Sequence, residues 1–197
     1  MRNFFSSLFE NIKQKKVWFS ILVLLTIAAI VLGVFAGVNF SGGALSINLN
    51  NIAYIQYLKG ETGIVSLIFK MLIAQILFFV IIFLCCSKKW LIPFAVLFYS
   101  YLVYSQVVIL VSLVMIYGFL NCVVLALFLM IYVLILVTIF LIVTIELICY
   151  ADEPSYFKFC FSNHSKVLFY LLGLIILSAI FAFSLAILKT FLILLVF

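Results

Sequence analysis

The sequence predicts an all-α, polytopic transmembrane helix bundle, and three observations carry that prediction. The stretch from Trp90 to Ile145 contains no Asp, Glu, Lys or Arg, and it is bracketed by Lys88-Lys89 and Glu146. A spanning helix needs about 20 apolar residues, so this run holds at least two crossings. The whole chain is 70% hydrophobic and 8% charged, a composition that excludes a water-soluble domain and a disordered tail alike. Its basic residues sit in short clusters at the ends of apolar runs, where they set topology. The net charge of +6 is therefore no sign of nucleic-acid binding. Helices are the expected elements because a helix satisfies its own backbone polar groups in hydrocarbon.

Taken in order, residues 1–16 place Arg2, Lys13, Lys15 and Lys16 among Phe4, Phe5, Leu8, Phe9 and Ile12. That spacing predicts a short amphipathic helix on the membrane surface. The first crossing is expected at 17–38. Val34-Phe35-Ala36 resembles a signal cleavage site, but the apolar run before it is longer than the usual 7–15 residues, so the segment reads as an uncleaved anchor. Residues 39–63 form an outer loop containing Asn48, Asn50-Asn51, Lys59 and Glu61. Leu45, Leu49, Ile52, Ile55 and Leu58 make the stripe of an interfacial helix there. Asn39-Phe40-Ser41 matches a glycosylation sequon, a three-residue pattern that is common by chance.

The second crossing, 64–84, ends at Ser87-Lys88-Lys89-Trp90, a cationic and aromatic boundary. Pro93 opens the third, 91–116, in the first turn, where its missing N–H costs nothing. Tyr117–Asn121 is expected to turn the chain. Cys122 to Tyr150 is 29 residues, about 44 Å of helix against a hydrocarbon core of roughly 30 Å. The reading favoured is an outer half-helix at 118–131 followed by a fourth crossing at 131–150; the alternative is one steeply tilted helix. An inner loop, 151–166, holds Asp152, Glu153, Lys158, His164 and Lys166. The fifth crossing is 167–188, followed by an apolar tail, Thr190–Phe197. All 197 residues then make one integral membrane domain.

Orientation follows from the basic residues. The N-terminus, the 88–89 turn and the 151–166 loop hold Arg2, Lys13, Lys15, Lys16, Lys88, Lys89, Lys158 and Lys166. The other face holds only Lys59, Lys70 and Lys189. The positive-inside rule puts the N-terminus in the cytoplasm of a cell-membrane protein.

Two sets of residues stand out. Ala29, Gly33, Gly37 and Ser41 recur every fourth residue at the end of the first crossing, and Ser178, Ala182 and Ala186 repeat the device in the last. Small residues let helices approach closely. Intramolecular packing is the plainer reading of both stripes, and a homodimer face the alternative. Lys70, Gln75, Gln106 and Glu146 are the ionisable or amide groups within the apolar runs, and such groups are functional candidates by default. Lys70 and Glu146 lie near helix ends and can snorkel, leaving Gln75 and Gln106 at mid-depth, too few for a proton relay.

No catalytic set, cofactor motif or metal site emerges. Cys160 and His164 lack paired ligand motifs, and Cys85-Cys86 beside Lys88-Lys89 could equally be acylated or idle. No nucleophile elbow, zincin motif or glycine-rich phosphate loop occurs. The chain reads as non-enzymatic.

Several stretches together resemble the stage II sporulation protein M family. Leu32-Gly33-Val34-Phe35-Ala36-Gly37 is similar to the glycine-rich end of that family's first helix. Trp90-Leu91-Ile92-Pro93 is similar to its proline-ended turn, and Gly118 to its outer turn. Phe157-x-x-Cys160-Phe161 leading into Val167-Leu168-Phe169 is similar to the approach to its last helix. The chain departs from the pattern at Ser100–Ser105, where the family carries glycines, and at Ile131–Val137, where it carries a proline-bearing segment. The resemblance implies a bacterial cytoplasmic-membrane scaffold that recruits peptidoglycan-remodelling partners, with the lipid bilayer and a membrane or cell-wall protein as its contacts. The competing expectation is the membrane-spanning subunit of an ATP-driven export system, with 151–166 as its coupling helix.

Topology is open to direct test. In a background lacking the native cysteines, Ser41→Cys and Asn50→Cys should react with a membrane-impermeant maleimide on intact cells. Lys88→Cys and Ser155→Cys should react only after permeabilisation. Labelling of position 88 from outside reverses the orientation.

Overall fold

The computed structural model describes residues 10, 12–39, 53–58, 60–117, 119–151 and 164–196. The described residues are helical, without strands, and five helices are long and apolar enough to cross a membrane. They are α1 (Lys16–Asn39), α3 (Ile64–Cys85), α4 (Ile92–Tyr117), α5 (Phe119–Tyr150) and α6 (His164–Val196). A sixth, short helix, α2 (Ala53–Leu58), precedes α3. One turn of 3-10 helix, Lys89–Leu91, joins α3 to α4, and Pro93 falls in the first turn of α4.

Two boundaries differ most from the sequence-based expectation, and α6 also begins at His164, inside the loop expected at 151–166. The outer half-helix at 118–131 and the crossing at 131–150 are one continuous helix, α5. No Gly or Pro lies between Phe119 and Tyr150, so nothing interrupts its hydrogen-bond ladder. A helix of 32 residues spans about 48 Å and fits the hydrocarbon only by tilting or by projecting beyond it. Phe119–Asn121, expected in the turn, belong to α5. Similarly, α6 continues through Thr190–Val196, the stretch expected as a tail. The amphipathic helix expected at 1–16 lies mostly outside the described residues. So do 40–52 of the expected outer loop, including Ser41 and the last two residues of the sequon, whose Asn39 ends α1, as well as Gly118 and 152–163 of the expected inner loop.

The central helix is α4, which packs along α1, α5 and α3, while α6 closes the far side against α3 and α5. The α1–α4 contact is the most extensive, and the stripe of small residues makes it. Ala29, Gly33 and Gly37 are buried. A methyl group added at Gly33 would come within 2.9 Å of Val107 Cβ and 3.1 Å of the Tyr104 carbonyl oxygen. At Gly37 it would meet Val111 Cβ at 2.7 Å and the Val108 carbonyl oxygen at 3.3 Å. Thr26 bonds to Tyr99 about two turns before Gly33 and Val107. Contacts therefore ascend together on both helices, which run parallel. That is the relation expected of first and third crossings.

The α5–α6 pair runs the other way. Phe128 and Tyr132 contact Phe181, and Glu146 bonds to Tyr170, so rising positions in α5 meet falling positions in α6. The C-terminal end of α6 lies beside α2, where Lys189 donates from Nζ to the Tyr57 carbonyl oxygen at 2.6 Å. The same ammonium sits 4.7 Å from the centre of the Tyr57 ring, within cation–π range. Lys70 of α3 donates to Gln56 Oε1 at 2.7 Å. A helix of six residues is too short to persist alone in water. Two lysines from separate crossings hold α2 down.

The glycine contacts generate a sharp expectation. Gly33→Ala and Gly37→Ala should each destabilise the bundle by about 1–3 kcal/mol, the usual range for overpacking a filled interface. Gly37→Ala should be the worse. Gly173 has no atom within 4 Å of an added methyl, so Gly173→Ala should not destabilise. Thermal unfolding of the three variants in one detergent checks this. Equal melting temperatures for Gly37→Ala and Gly173→Ala would show that α1 does not sit on α4.

Candidate functional site

The polar residues carried into the apolar runs separate into three places. The first lies at mid-depth, where α3, α5 and α6 meet. Gln75 is near the middle of α3 and only 5% exposed. Its Nε2 donates to the Tyr132 hydroxyl at 2.6 Å, and its Oε1 accepts from Ser178 Oγ at 2.9 Å. The Ser178 hydroxyl is also 2.9 Å from the Leu174 carbonyl oxygen, so its single proton is shared between two acceptors. Tyr132 packs obliquely on Phe181 with 4.1 Å between ring centres. The second stripe of small residues explains the approach. Ser178 and Ala182 are fully buried, with Ala186 partly buried one turn further on.

The second place is nearer the end opposite α2. Glu146 is 3% exposed and accepts hydrogen bonds from the Tyr150 hydroxyl at 2.9 Å and from the Tyr170 hydroxyl. The expectation that Glu146 snorkels to the boundary is thereby corrected. The carboxylate turns inward because one tyrosine on its own helix and another on α6 supply donors there. The third place is the Thr26–Tyr99 bond between α1 and α4, 2.9 Å long, with Thr26 also donating to the Leu22 carbonyl oxygen.

A cleft of about 370 Å³ opens beside the first place, bounded by α3, α4 and α5, with Ala53 of α2 at one end. Lys70, Gln75 and Gln106 all line it, and so does Tyr132. Met71, Phe78, Leu102, Ile109 and Leu136 supply its apolar walls. Three of the four polar candidates named from sequence therefore share one space, while Glu146 belongs elsewhere. The residues of α3 on the wall, 70, 71, 74, 75 and 78, follow helical spacing. Those of α4, 102, 106 and 109, do the same. Each helix thus turns one continuous face to the cleft, mostly apolar and carrying Lys70 and Gln75 on α3 and Gln106 on α4.

Tyr132 was not singled out by sequence reasoning, nor were Tyr99, Tyr150 and Tyr170. A usable signal existed. Tyrosine in a spanning helix favours the headgroup level, and Tyr132 lies near the centre of a 32-residue helix. At that depth its hydroxyl has to find a protein partner. Among the described residues no three His, Cys, Asp or Glu side chains are grouped as metal ligands. Cys160 lies outside the described residues. Comparison with protein-family models, curated proteins and solved structures finds no match to the chain.

The strength of the three-helix tie is measurable. In a double-mutant cycle, Gln75→Leu and Tyr132→Phe should couple by about 0.6 kcal/mol, with about 1.7 as an upper bound for such bonds in membranes. Thr26→Val shares no partner with Tyr132, so that pair should add within about 0.3–0.5 kcal/mol. Unfolding free energies in mixed micelles provide the readout. Zero coupling between positions 75 and 132 would mean that the bond does not form in the membrane.

Proposed function

We propose that the chain is a non-enzymatic scaffold of the bacterial cytoplasmic membrane, with its N-terminus in the cytoplasm, related in role to the stage II sporulation protein M family. One observation carries the reading. Three buried polar side chains, Gln75, Ser178 and Glu146, bond between helices, tying α3 to α5 and α6 at Gln75 and α5 to α6 at Glu146. Bonds of that kind hold crossings in a fixed arrangement and suit a protein whose task is to present its loops. The partner surface in this reading is the segment 39–63, the largest one outside the crossings, and its partner is a peptidoglycan-remodelling protein. The small-residue stripe of α1 is covered by α4 of the same chain, which favours intramolecular packing over a homodimer through that face.

The second reading, a membrane-spanning subunit of an ATP-driven exporter, is favoured by the cleft that Lys70 and Gln106 line at depth. Affinity purification in mild detergent separates the two. The tagged chain should retain a wall-remodelling protein, and exchange of Asn48–Lys59 for a Gly/Ser linker of equal length should abolish that retention. Recovery of an ATP-binding subunit instead, unaffected by the loop exchange, would establish the exporter.

A further inference from the structure

We propose that the cleft beneath α2 is a specific site for an acidic glycerophospholipid, bound with its phosphate on Lys70 and its ester carbonyls on Gln106 and Tyr132. The argument begins with the hydrogen-bonding capacity left over in the cleft. An ammonium group has three N–H donors. Lys70 is bonded to one neutral acceptor, Gln56 Oε1, so two donors and a full positive charge remain. The Tyr132 hydroxyl accepts from Gln75 and keeps its own proton to give. The Gln106 side chain lines the cleft and makes no hydrogen bond to any described residue. Donors are therefore in excess, and one whole carboxamide is unmatched. An unbonded amide in hydrocarbon costs several kcal/mol. The complement is a molecule rich in acceptor oxygens and carrying negative charge.

The shape of the cleft narrows the class. Lys70 and Ala74 are both exposed while Gln75 and Tyr132 behind them are buried, so the cleft opens sideways onto the lipid-facing surface. A ligand can enter from the membrane without crossing the bundle. Lys70 begins the wall and Gln75 lies five residues further on, about 7.5 Å deeper at 1.5 Å per residue. Charge is thus placed at the mouth and uncharged donors below it. Phosphate above ester carbonyls is the same order along a glycerophospholipid. Met71, Phe78, Leu102, Ile109 and Leu136 then accept the start of the acyl chains. Lys70 stands six residues into α3, about 9 Å below the α2 end. The Lys70 ammonium reaches back to Gln56 of α2, so a phosphate held on it lies at the level of α2, and the amide and hydroxyl in the cleft below it distinguish a site from the ordinary lipid annulus.

The test uses the full chain, purified in detergent and stripped of lipid, with dioleoylphosphatidylglycerol, dioleoylphosphatidylcholine and inorganic phosphate as probes. Saturable stabilisation is followed by thermal unfolding, and bound lipid is counted by native mass spectrometry. Phosphatidylglycerol should bind saturably with one tight equivalent, and phosphatidylcholine at least tenfold more weakly. Gln106→Leu loses no bond to a described residue and should keep the parental melting temperature without lipid, yet bind phosphatidylglycerol at least tenfold more weakly. Lys70→Gln is the second variant, and it should erase the preference for the anionic lipid. Equal binding of the two lipids would overturn the proposal. So would unchanged phosphatidylglycerol binding in either variant. Inorganic phosphate reproducing the whole effect would assign the cleft to a small anion, and the lipid proposal would fail.

Discussion

Hydrocarbon offers a side chain no water to bond with, and the arrangement of this bundle answers that constraint. Gln75, Glu146 and Tyr132 each cost free energy in lipid unless another helix supplies a partner. Gln75 finds partners on α5 and α6, Tyr132 on α3 and Glu146 on α6, so the bonds can form only when α3, α5 and α6 lie in one particular rotation and depth. Hydrophobicity cannot set that register, because lipid tails are as apolar as the helices. The apolar faces are interchangeable to a first approximation; the polar ones are not. A handful of hydroxyls and amides therefore selects one arrangement from the many that would bury similar area.

Close packing supplies the rest, through shape. On α1 the glycines leave a trough, and Val107 and Val111 of α4 fill it. β-Branched side chains suit this role because they are stiff at χ1, so they enter the trough without losing rotamer freedom. The two halves of the bundle use different means. The α1–α4 half relies on fit, helped by the Thr26–Tyr99 bond between side chains, whereas the α3–α5–α6 half relies on hydrogen bonds.

The crossings were legible because charge is excluded from hydrocarbon and marks where each helix emerges. Lys88 and Lys89 bracket the α3–α4 turn, and the start of α3 at Ile64 fell on the expected residue. The half-helix expected at 118–131 is not separate because α5 contains no helix breaker, and a tilted or projecting helix takes up the extra length. The site was half legible. Lys70, Gln75 and Gln106 stand out by type in an apolar background, but the bonds of Gln75 reach 57 and 103 residues along the chain. No local pattern encodes separations of that size. Glu146 shows the same limit: Tyr150 is visible at i+4, while Tyr170 lies beyond the inner loop. Two of the three lysines on the sparsely charged face, Lys70 and Lys189, bond to α2. Their position on the sparsely charged face has a structural reason.

The parallel pairing of α1 with α4 has a consequence for biogenesis. Gly33 and Gly37 meet residues that follow them in the chain by about 70 positions. At roughly 5–20 residues per second of synthesis, α1 emerges about 4–14 s before its partner exists. For that interval the trough is open to lipid and to any other nascent helix with a complementary ridge. The chain therefore passes through a stage at which its first segment is a target for quality-control proteases or for mispairing with a neighbouring copy. Arrival of α4 ends this vulnerability, and a stall in translation between the two would prolong it.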